Sequence, residues 1–416
     1  MTDGDPHHRE QRLKNTIESI ENSDQISEHN TEVALDFKKY LESQGLSLDR
    51  ISRYFYSLKF VLRHIDWKID EPTKDDLIEL VGDINQDKLW DGERAEATKA
   101  EYKKLVRKLY KDYLDAKRED FDGEGLTDFF TVTVKKNFVD PEELPRPRDV
   151  AELVQNCYRT RDKAFIMTIW STSARISAVL GLRWKDVRFD SDIATIKFRD
   201  TKTGDDRKVP VASAYPYLKE LKEKDSEGDN PEAYVFRPLD SKPDNQLNYK
   251  SARGIVERAR KRSSIPDHIR TNFHAFRKGK ITDLARRGWG EAQISRMSGH
   301  IVGSEEIRVY CRLASEDITS AVKRTAGLQQ EENEEEDRNP LRPLKCHDCG
   351  FLNKWECENC SRCGEVLTTS ELFKEIKTQE QEEEIRKELV DRQTDWDNEK
   401  VSQKAKKIVE KELNRS

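Results

Sequence analysis

Two copies of the motif Cys-x2-Cys-Gly, ten residues apart, are the feature that most narrows how this chain can fold. Cys346 and Cys349 form the first pair, and Cys360 and Cys363 form the second. Four thiolates at this spacing bind one Zn²⁺ tetrahedrally, and a short polar segment has little else to fold around. We therefore predict a zinc ribbon at residues 341–367, with these four cysteines as ligands of a structural metal.

Other metal ligands in this segment are weaker candidates. Five of the seven cysteines lie between Cys346 and Cys363, and such clustering outside a secretory context favours metal over disulfides. Cys357 is interpreted as an additional thiol, although it could replace one of the four ligands, and His347 is a less favoured competitor. The pattern leaves open whether the ribbon contacts DNA or protein.

Amphipathic helical patterns dominate the first third of the chain. Apolar residues recur three and four positions apart over residues 31–118, and a capping-box pattern from Thr73 to Asp76 begins one helix. We predict a helical domain there, after a polar tail at residues 1–30 that is frayed or loosely helical. The last helix has a cationic outer face, interpreted as solvated or alternatively as a DNA-backbone contact. Its members are Arg94, Lys99, Lys103, Lys104, Arg107, Lys108 and Lys111.

Glycines and prolines then predict a linker at residues 119–140, followed by a second domain at 141–328. This domain combines helical patterns with one β-hairpin, IATIKFRDTKTGDDRKVPV, whose alternating strands flank a Thr-Gly-Asp-Asp turn. An acidic linker at 329–340 leads to the ribbon, and a charged helical tail occupies 368–416. The predicted fold class is mainly α with a small antiparallel β-hairpin, α+β.

Charge is distributed unevenly along the chain. The formal net charge is −6, yet residues 141–330 hold 36 Lys and Arg against 27 Asp and Glu, and both flanks are acidic. A basic region between acidic flanks is typical of phosphate-backbone binding, so double-stranded DNA is a predicted partner. No apolar run approaches the roughly 18 residues of a membrane span, and the N-terminus lacks an apolar signal core. We expect a soluble, cytoplasmic protein that does not contact membranes.

The second domain contains the parts that attack on a DNA phosphodiester requires. These are a nucleophile, cations that hold the non-bridging oxygens, and an acid for the leaving oxygen. Arginine suits the clamp because its planar fork binds phosphate bidentately and stays charged. Each candidate alone is a weak signal. The candidates are Arg175, Lys202, His274, Arg277, His300 and Tyr310.

Together, the order of these residues resembles the tyrosine recombinase (phage integrase) family. The stretch ARISAVLGLRWKDVRFD resembles the family's first box, KTGDDRKVPV its lysine hairpin, and HAFRKGKITDLARRGWGEAQISRMSGH its second box. The resemblance covers residues 140–328, and more loosely 31–118, where such proteins carry a helical core-binding domain. It implies a site-specific recombinase or integrase, here with a C-terminal zinc ribbon.

The resemblance also implies a mechanism that needs neither ATP nor a catalytic metal. Tyr310 attacks the scissile phosphate, which gives a 3′-phosphotyrosyl bond and a free 5′-hydroxyl. Arg175 and Arg277 bind the non-bridging oxygens, Lys202 protonates the leaving oxygen, and His274 exchanges a proton with Tyr310. Members of the family work as tetramers on two DNA sites, so self-association on DNA is implied too. A protein partner could bind the ribbon or the tail.

Two positions depart from the family's pattern. Ala178 stands where the first box commonly has an acid, three residues after the arginine, which puts the support of that arginine in question. The interval from His300, the implied phosphate donor, to Tyr310 is about one residue longer than usual. The loop IVGSEE between them contains Gly303, whose conformational freedom can absorb the extra residue.

Two other functions fit part of these observations. A type IB topoisomerase shares the chemistry, but the ribbon and the recombinase-like boxes do not select it. A DNA-binding regulator on an inactivated recombinase scaffold would use the ribbon as an interaction module. Such a scaffold would be expected to lose at least one of the six residues, and none is missing. The sequence gives neither the DNA site nor the direction of recombination.

Overall fold

A computed structural model describes residues 9–132, 139–199, 206–238, 241–314 and 339–367. Lys202, most of the predicted acidic linker at 329–340 and the predicted tail at 368–416 lie outside these ranges. The chain divides into two compact units, Met1–Phe138 and Val139–Ser416.

Helices joined by turns make up the described residues of the first unit, which contain no β-strand. Its helices follow an amphipathic pattern, and the Thr73 capping box forms as the sequence predicts: the backbone N–H of Asp76 donates to the Thr73 hydroxyl at 3.2 Å and that of Thr73 to the Asp76 carboxylate at 2.8 Å. A π-helical stretch, Lys108–Leu114, follows α5. The helices are α1 Arg9–Glu21, α2 Glu28–Ser43, α3 Leu48–Leu62, α4 Lys74–Asn85, α5 Glu96–Arg107, α6 Asp115–Lys117 and α7 Gly123–Thr127.

Residues 9–21 of the tail predicted as frayed or loosely helical form a packed helix, α1. Leu13 and Ile20 are buried in the core of the first unit, with Phe37 and Phe55 from the helices that follow. Burying two large aliphatic side chains stabilises a helix by about 1.5–3 kcal/mol each. The segment Arg9–Glu21 is therefore part of the domain, although its mean composition is polar.

The cationic face predicted on the last helix of this unit is mostly engaged within the protein. Lys99 is buried, with its Nζ 2.7 Å from an Asp87 carboxylate oxygen and 3.2 Å from one of Glu96. Lys108 pairs with Asp112 at 2.7 Å, and Lys111 with Glu124 at 2.6 Å. The interpretation of this face as solvated is wrong for Lys99, and a DNA-backbone contact by the face loses support.

In the second unit, helices pack around a small antiparallel sheet. This arrangement confirms the predicted fold class. Strands pair in the order β1-β2-β3, with Ile196 of β2 opposite Val187 and Val209. The predicted hairpin is β2 and β3, and β1 extends it to three strands. The elements are α8 Pro147–Gln155, α9 Thr160–Thr172, α10 Ile176–Leu180, β1 Val187–Phe189, β2 Ala194–Phe198, β3 Arg207–Val211, α11 Tyr215–Lys224, α12 Tyr249–Lys261, α13 Phe273–Arg286, α14 Glu291–Ser298, α15 Glu305–Ala314, β4 Leu344–Lys345 and β5 Leu352–Asn353.

Helix α9 is the central element of this unit. Its residues from Ala164 to Trp170 are all buried, because neighbouring elements cover every side of the helix. A helix that is apolar all round belongs in the interior. A smaller apolar cluster forms where α13, α14 and α15 meet, and it contains Ile307 and Tyr310. Within the described ranges, no helix is both long and apolar enough to cross a bilayer.

Candidate active site and metal centre

Arg277 is the buried centre of the candidate active site. Asn272 caps the N-terminus of α13, since its side-chain oxygen accepts a hydrogen bond from the backbone N–H of Ala275 at 2.9 Å. Arg277 lies in the second turn and is 4% exposed. Its Nη1 donates to the carbonyl oxygens of Ser173 at 2.8 Å and Ser298 at 2.6 Å. These bonds fix the guanidinium plane relative to two other segments of the site.

Arg277 keeps its charge despite this burial. Burial, together with the positive charges of Arg175 and Arg207, lowers the pKa of Arg277 to about 9. The guanidinium is thus protonated at neutral pH, and an anion that entered the site would relieve the repulsion among the three cations.

Arg175 is positioned by the turn that ends α9. Ser173 ends the helix in the left-handed conformation, with φ of 44°. This turn releases the chain from α9, and Arg175 follows in an extended conformation as the N-cap of α10. The Arg175 side chain is exposed, in contrast to Arg277. One arginine is therefore fixed and the other is accessible from solvent.

His300 lies against the Arg277 guanidinium. It follows Gly299, which ends α14 with φ of 73°. His300 Nδ1 lies 2.8 Å from the Ser298 hydroxyl and 2.9 Å from Arg277 Nη2. The same Nη2 lies 3.0 Å from His300 Nε2. Nε2 lies 3.5 Å from a Glu306 carboxylate oxygen. Because a carboxylate only accepts hydrogen bonds, we assign the ring proton to Nε2 and the lone pair to Nδ1.

Glu306 was not among the predicted site residues. Its second carboxylate oxygen lies 3.9 Å from His274 Nε2, so one carboxylate faces both histidines. We expected IVGSEE to be a loop, but α15 begins at Glu305 and its two acids are helical. Gly303, with φ of 84°, remains in the shortened connection. The hydrogen bond with His300 and the neighbouring positive groups lower the pKa of Glu306 to about 2.

Tyr310 lies one helical turn after Glu306 and is fully buried. It packs with Ile307 of its own helix and with residues of α13, and Lys278 Nζ is 5.5 Å from its ring centroid. Its hydroxyl has no hydrogen-bond partner in the described part of the chain. Burial, and to a lesser degree the charge of Glu306, raises the pKa of Tyr310 to about 12. This position protects the hydroxyl from solvent and keeps it protonated.

Arg207 is a further cation that the sequence did not single out. A Cβ added at Gly299 would fall 1.6 Å from the Arg207 guanidinium, so this side chain lies directly against the residue before His300. Arg207 begins β3, five residues after Lys202, and so the end of the predicted hairpin reaches the site. Packing of β3 against α14, which a sequence pattern cannot supply, brings it here.

The four predicted cysteine ligands converge on one point. Cys346 Sγ lies 3.5 Å from Cys363 Sγ, and Cys349 Sγ lies 3.6 Å from Cys360 Sγ. All four sulfurs lie within 4.8 Å of one another. Four thiolates at about 2.3 Å from a zinc ion have an ideal sulfur–sulfur distance of about 3.8 Å, which this arrangement fits. Cys357 is not a member of the cluster.

The two cysteine pairs share one backbone geometry. Gly350 and Gly364 follow the pairs with φ of 68° and 82°, a conformation that favours glycine. Their N–H groups donate to the carbonyls of Cys346 and Cys360, at 3.0 and 2.9 Å. The buried Asn353 side chain donates to Cys360 Sγ at 3.5 Å, which supports a thiolate there.

The cysteine module packs against α9 and α11 of the second unit. Glu356 accepts from Lys163 of α9 at 2.6 Å and lies 3.3 Å from the Tyr217 hydroxyl of α11. Lys354 pairs with Glu220 of α11. These groups are largely shielded from water, with side chains of Lys163 and Glu356 only 22% and 15% exposed.

Apolar contacts accompany these ion pairs. Leu341 and Leu352 are buried within the same core as α9, and Trp355 is partly buried against it. Lys219 of α11 lies over the Phe351 ring, 4.9 Å from its centroid. The module therefore shares a continuous core with the helix whose end positions Ser173 and Arg175.

Comparisons with known proteins find one matching family model and several similar proteins. Residues 138–317 match the model of the phage integrase family. Tyrosine recombinase XerA of Pyrococcus furiosus is 24% identical over 304 residues, which cover 72% of this chain and 96% of that protein. Transposase A from transposon Tn554 of Staphylococcus aureus is 29% identical over 189 residues, and the chain spans about half of its length, 49%.

Solved structures show the same fold. A lambda integrase dimer bound to a COC′ core site aligns with a TM-score of 0.53 at 15% identity, covering 69% of this chain and 78% of that one. A lambda integrase tetramer bound to a Holliday junction aligns with a TM-score of 0.51, covering 68% and 80%. The cysteine module is absent from the family match, which ends at residue 317.

Proposed function

We infer that this chain, which carries a phage integrase domain over residues 138–317, is a tyrosine-type site-specific recombinase that cleaves and rejoins DNA. The observation that carries the proposal is the arrangement around Arg277. This buried arginine contacts His300 and the backbone of Ser173 and Ser298, and it brings Arg175 and the helix of Tyr310 to one place. Arg175, Arg207 and Arg277 lie close enough to repel one another, and a bound anion would relieve this repulsion.

In the proposed reaction, Arg175 and Arg277 bind the non-bridging oxygens of the scissile phosphate. His300 donates its Nε2–H to the same phosphate, which its neutral tautomer allows at neutral pH because burial lowers its pKa. The charge that develops on the phosphoryl oxygens is then stabilised by groups that were oriented before the substrate arrived.

The covalent step exchanges one phosphodiester bond for another. The Tyr310 oxygen forms a bond to phosphorus, the bond to the 5′-oxygen breaks, and the leaving oxygen takes a proton from Lys202. His274 accepts the proton of Tyr310. Attack by a 5′-hydroxyl of a partner strand reverses the step, so bond energy is conserved and ATP is not consumed.

Tyr310 has to leave its buried position for this step. Its side chain is fully buried in the cluster of α13, α14 and α15, so a phosphate that enters from solvent does not meet the hydroxyl in this position. We therefore propose that the described conformation is that of the protein before cleavage, and that α15 shifts when DNA binds.

We propose that the four cysteines hold one structural Zn²⁺. Sulfur positions support this, and so do the matching turns at Gly350 and Gly364. The ion would keep Leu352, Lys354 and Glu356 in place against α9 and α11. Its role is to complete the folded catalytic domain, with no part in the reaction.

DNA is the proposed substrate, and recombination is proposed to occur in an assembly of several copies on two sites. Lys250, Arg258 and Lys261 lie exposed along α12 and are suited to the phosphate backbone. The prokaryotic relatives support a place in the cytoplasm, with chromosomal DNA. An additional protein partner of the ribbon would have to bind the face that α9 and α11 leave open.

The test is capture of a covalent DNA complex. Duplexes that are nicked near the cleavage point release a short strand after attack, which prevents rejoining. From a pool with randomised sites, wild-type protein is expected to yield adducts that survive denaturation and identify the site. Tyr310→Phe should yield none, whereas Tyr158→Phe, which changes an exposed tyrosine, should match wild type. If wild type binds its selected DNA without forming an adduct, a regulator on a recombinase scaffold is the better interpretation.

A further inference from the structure

Glu306 places a carboxylate where a phosphate is expected. Its two oxygens face His300 Nε2 at 3.5 Å and His274 Nε2 at 3.9 Å. A phosphodiester presents two non-bridging oxygens with one negative charge, which a carboxylate resembles in charge and in its pair of acceptors. The two histidines are the groups to which the proposed function assigns phosphate binding and proton transfer.

We propose that the Glu306 carboxylate holds, in the DNA-free protein, the position that the scissile phosphate takes between His274 and His300. The proposal rests on the proposed recombinase function and adds a residue to it. Glu306 and the phosphate are both anions, so they cannot share the same donors without repulsion. Entry of DNA therefore displaces Glu306.

Displacement of Glu306 is linked to Tyr310 through their common helix. The two residues are four positions apart in α15, so they lie on one face and move together. Gly303, with φ of 84° and open space where a Cβ would lie, precedes the helix and is the point about which we propose that it pivots; its N–H donates to Glu291 Oε1 at 2.8 Å. While Glu306 contacts the histidines, Tyr310 is 0% exposed and its hydroxyl is unpartnered in the described residues.

A buried hydroxyl without a partner is unfavourable, so the closed position needs a compensating interaction. Glu306 supplies it through the histidines, and the nearby Lys278 adds attraction from α13. When the phosphate binds the two histidines in place of Glu306, that interaction is lost. Exposure of the Tyr310 hydroxyl then becomes favourable, because it can form hydrogen bonds outside its buried position. Glu306 is thus a positioning residue that makes nucleophile release depend on a bound phosphate.

A simpler role for Glu306 would be to orient the two histidines for catalysis. That role and the proposed one predict opposite effects of Glu306→Gln. If Glu306 orients the histidines, the substitution slows cleavage. If Glu306 must leave, the substitution speeds the first covalent step, by about tenfold for a contact worth about 1.4 kcal/mol.

The first experiment compares single-turnover adduct formation on nicked DNA by wild type, Glu306→Gln and Glu305→Gln. Glu305→Gln removes the same charge from the neighbouring, exposed position and controls for overall electrostatics. Faster adduct formation by Glu306→Gln alone supports the proposal. Slower formation by Glu306→Gln, with DNA affinity retained, overturns it. Absence of adducts from every protein, wild type included, counts against the recombinase function instead.

A second experiment needs no DNA. Tetranitromethane nitrates accessible tyrosines, and peptide mass spectrometry reads Tyr310 separately from buried Tyr217 and exposed Tyr158. Inorganic phosphate at millimolar concentration is expected to raise nitration of Tyr310 severalfold in wild type, with Tyr217 unchanged. In Glu306→Gln, nitration should be high without phosphate. If Tyr310 of the variant is nitrated as slowly as in wild type without phosphate, the proposal is wrong.

Discussion

Arg277 and Ser173 lie 104 positions apart in the sequence, yet Arg277 Nη1 donates a hydrogen bond to the Ser173 carbonyl oxygen at 2.8 Å. Ser173 is the left-handed residue that turns the chain from α9 toward Arg175. The bond therefore fixes the buried arginine relative to the exposed one. Both arginines act on one phosphate in the proposed reaction, so this contact sets the geometry of the clamp.

Arg277→Lys should impair both stability and cleavage. A lysine keeps the charge but lacks the planar guanidinium. It therefore cannot donate hydrogen bonds to the Ser173 and Ser298 carbonyls and also contact His300. We expect a loss of about 1–3 kcal/mol in the free energy of unfolding and a fall of about 10²–10³ in the rate of adduct formation. Chemical denaturation and single-turnover assays measure these effects. The control, Arg286→Lys near the end of the same helix, should change either quantity little.

Removal of the metal should destabilise the catalytic domain as well as the ribbon. One zinc per chain is expected by elemental analysis. Cys360→Ser, or a chelator, should lower the melting temperature of the second unit, because the ribbon shares a core with α9. Cys357→Ser should retain the zinc and the melting temperature. Loss of zinc in Cys357→Ser would instead identify this residue as a ligand.

The ion pair of Lys163 with Glu356 should hold the ribbon on the catalytic domain. Its side chains are mostly shielded, so Lys163→Met is expected to leave an unpaired carboxylate and cost about 1–3 kcal/mol. The double variant Lys163→Met/Glu356→Gln should recover part of this loss in a double-mutant cycle. Lys345, which is 63% exposed and 3.6 Å from Asp192, provides the comparison. Lys345→Met should cost less than about 1 kcal/mol.

Acid should weaken the contact between Glu306 and the histidines. The pKa of Glu306 is depressed to about 2 in the folded protein, below an ordinary value of about 4.3. A depressed carboxyl pKa contributes stability that is present above the ordinary value and is lost as pH falls toward the folded value. The stability difference between wild type and Glu306→Gln should therefore shrink between about pH 5 and pH 2. A constant difference across that range would contradict the assignment.

Exposed cations of α12 should contribute to DNA affinity without regard to sequence. Replacing Lys250, Arg258 and Lys261 with Gln is expected to reduce the slope of log affinity against log salt by up to about 2.7, about 0.9 for each phosphate that is no longer neutralised. Fluorescence anisotropy on specific and unrelated duplexes measures this. Lys103→Gln and Lys104→Gln in α5 should have smaller effects, since Lys103 contacts Asn85 and Lys104 pairs with Glu101. An unchanged slope in the α12 variant would place the DNA elsewhere.

The sequence predicted elements whose signal is local. Helical periodicity, the Thr73 cap and the alternating strands around the hairpin each depend on residues a few positions apart, and the structure has all three. The paired Cys-x2-Cys-Gly motifs are local as well, because a positive φ at Gly350 and Gly364 suffices to form each turn. The order of the six proposed catalytic residues indicated the chemistry, although their roles stay predictions until they are tested.

Other features depend on contacts between distant segments. Composition made residues 9–21 resemble a tail, but Leu13 and Ile20 complete a core formed by later helices. Lys99 was interpreted as solvated because the sequence does not show that it has an acidic partner. The fold places an Asp87 carboxylate oxygen 2.7 Å from its Nζ. Arg207 and Glu306 were not singled out as site residues, although both lie within quoted stretches, because only packing brings Arg207 to Gly299 and Glu306 to the histidines.

The sequence by itself determined the helices, the hairpin and the turn after each cysteine pair, because these follow from local geometry. It also supplied a set of candidate residues for action on a phosphodiester, through the resemblance of their order to a known family. Tertiary structure decided which charges are shielded, that the cysteine module packs into the core of the second unit, and that Tyr310 is enclosed while Glu306 faces His274 and His300. Such properties depend on which distant segments pack together and exclude water, so only the whole folded domain determines them.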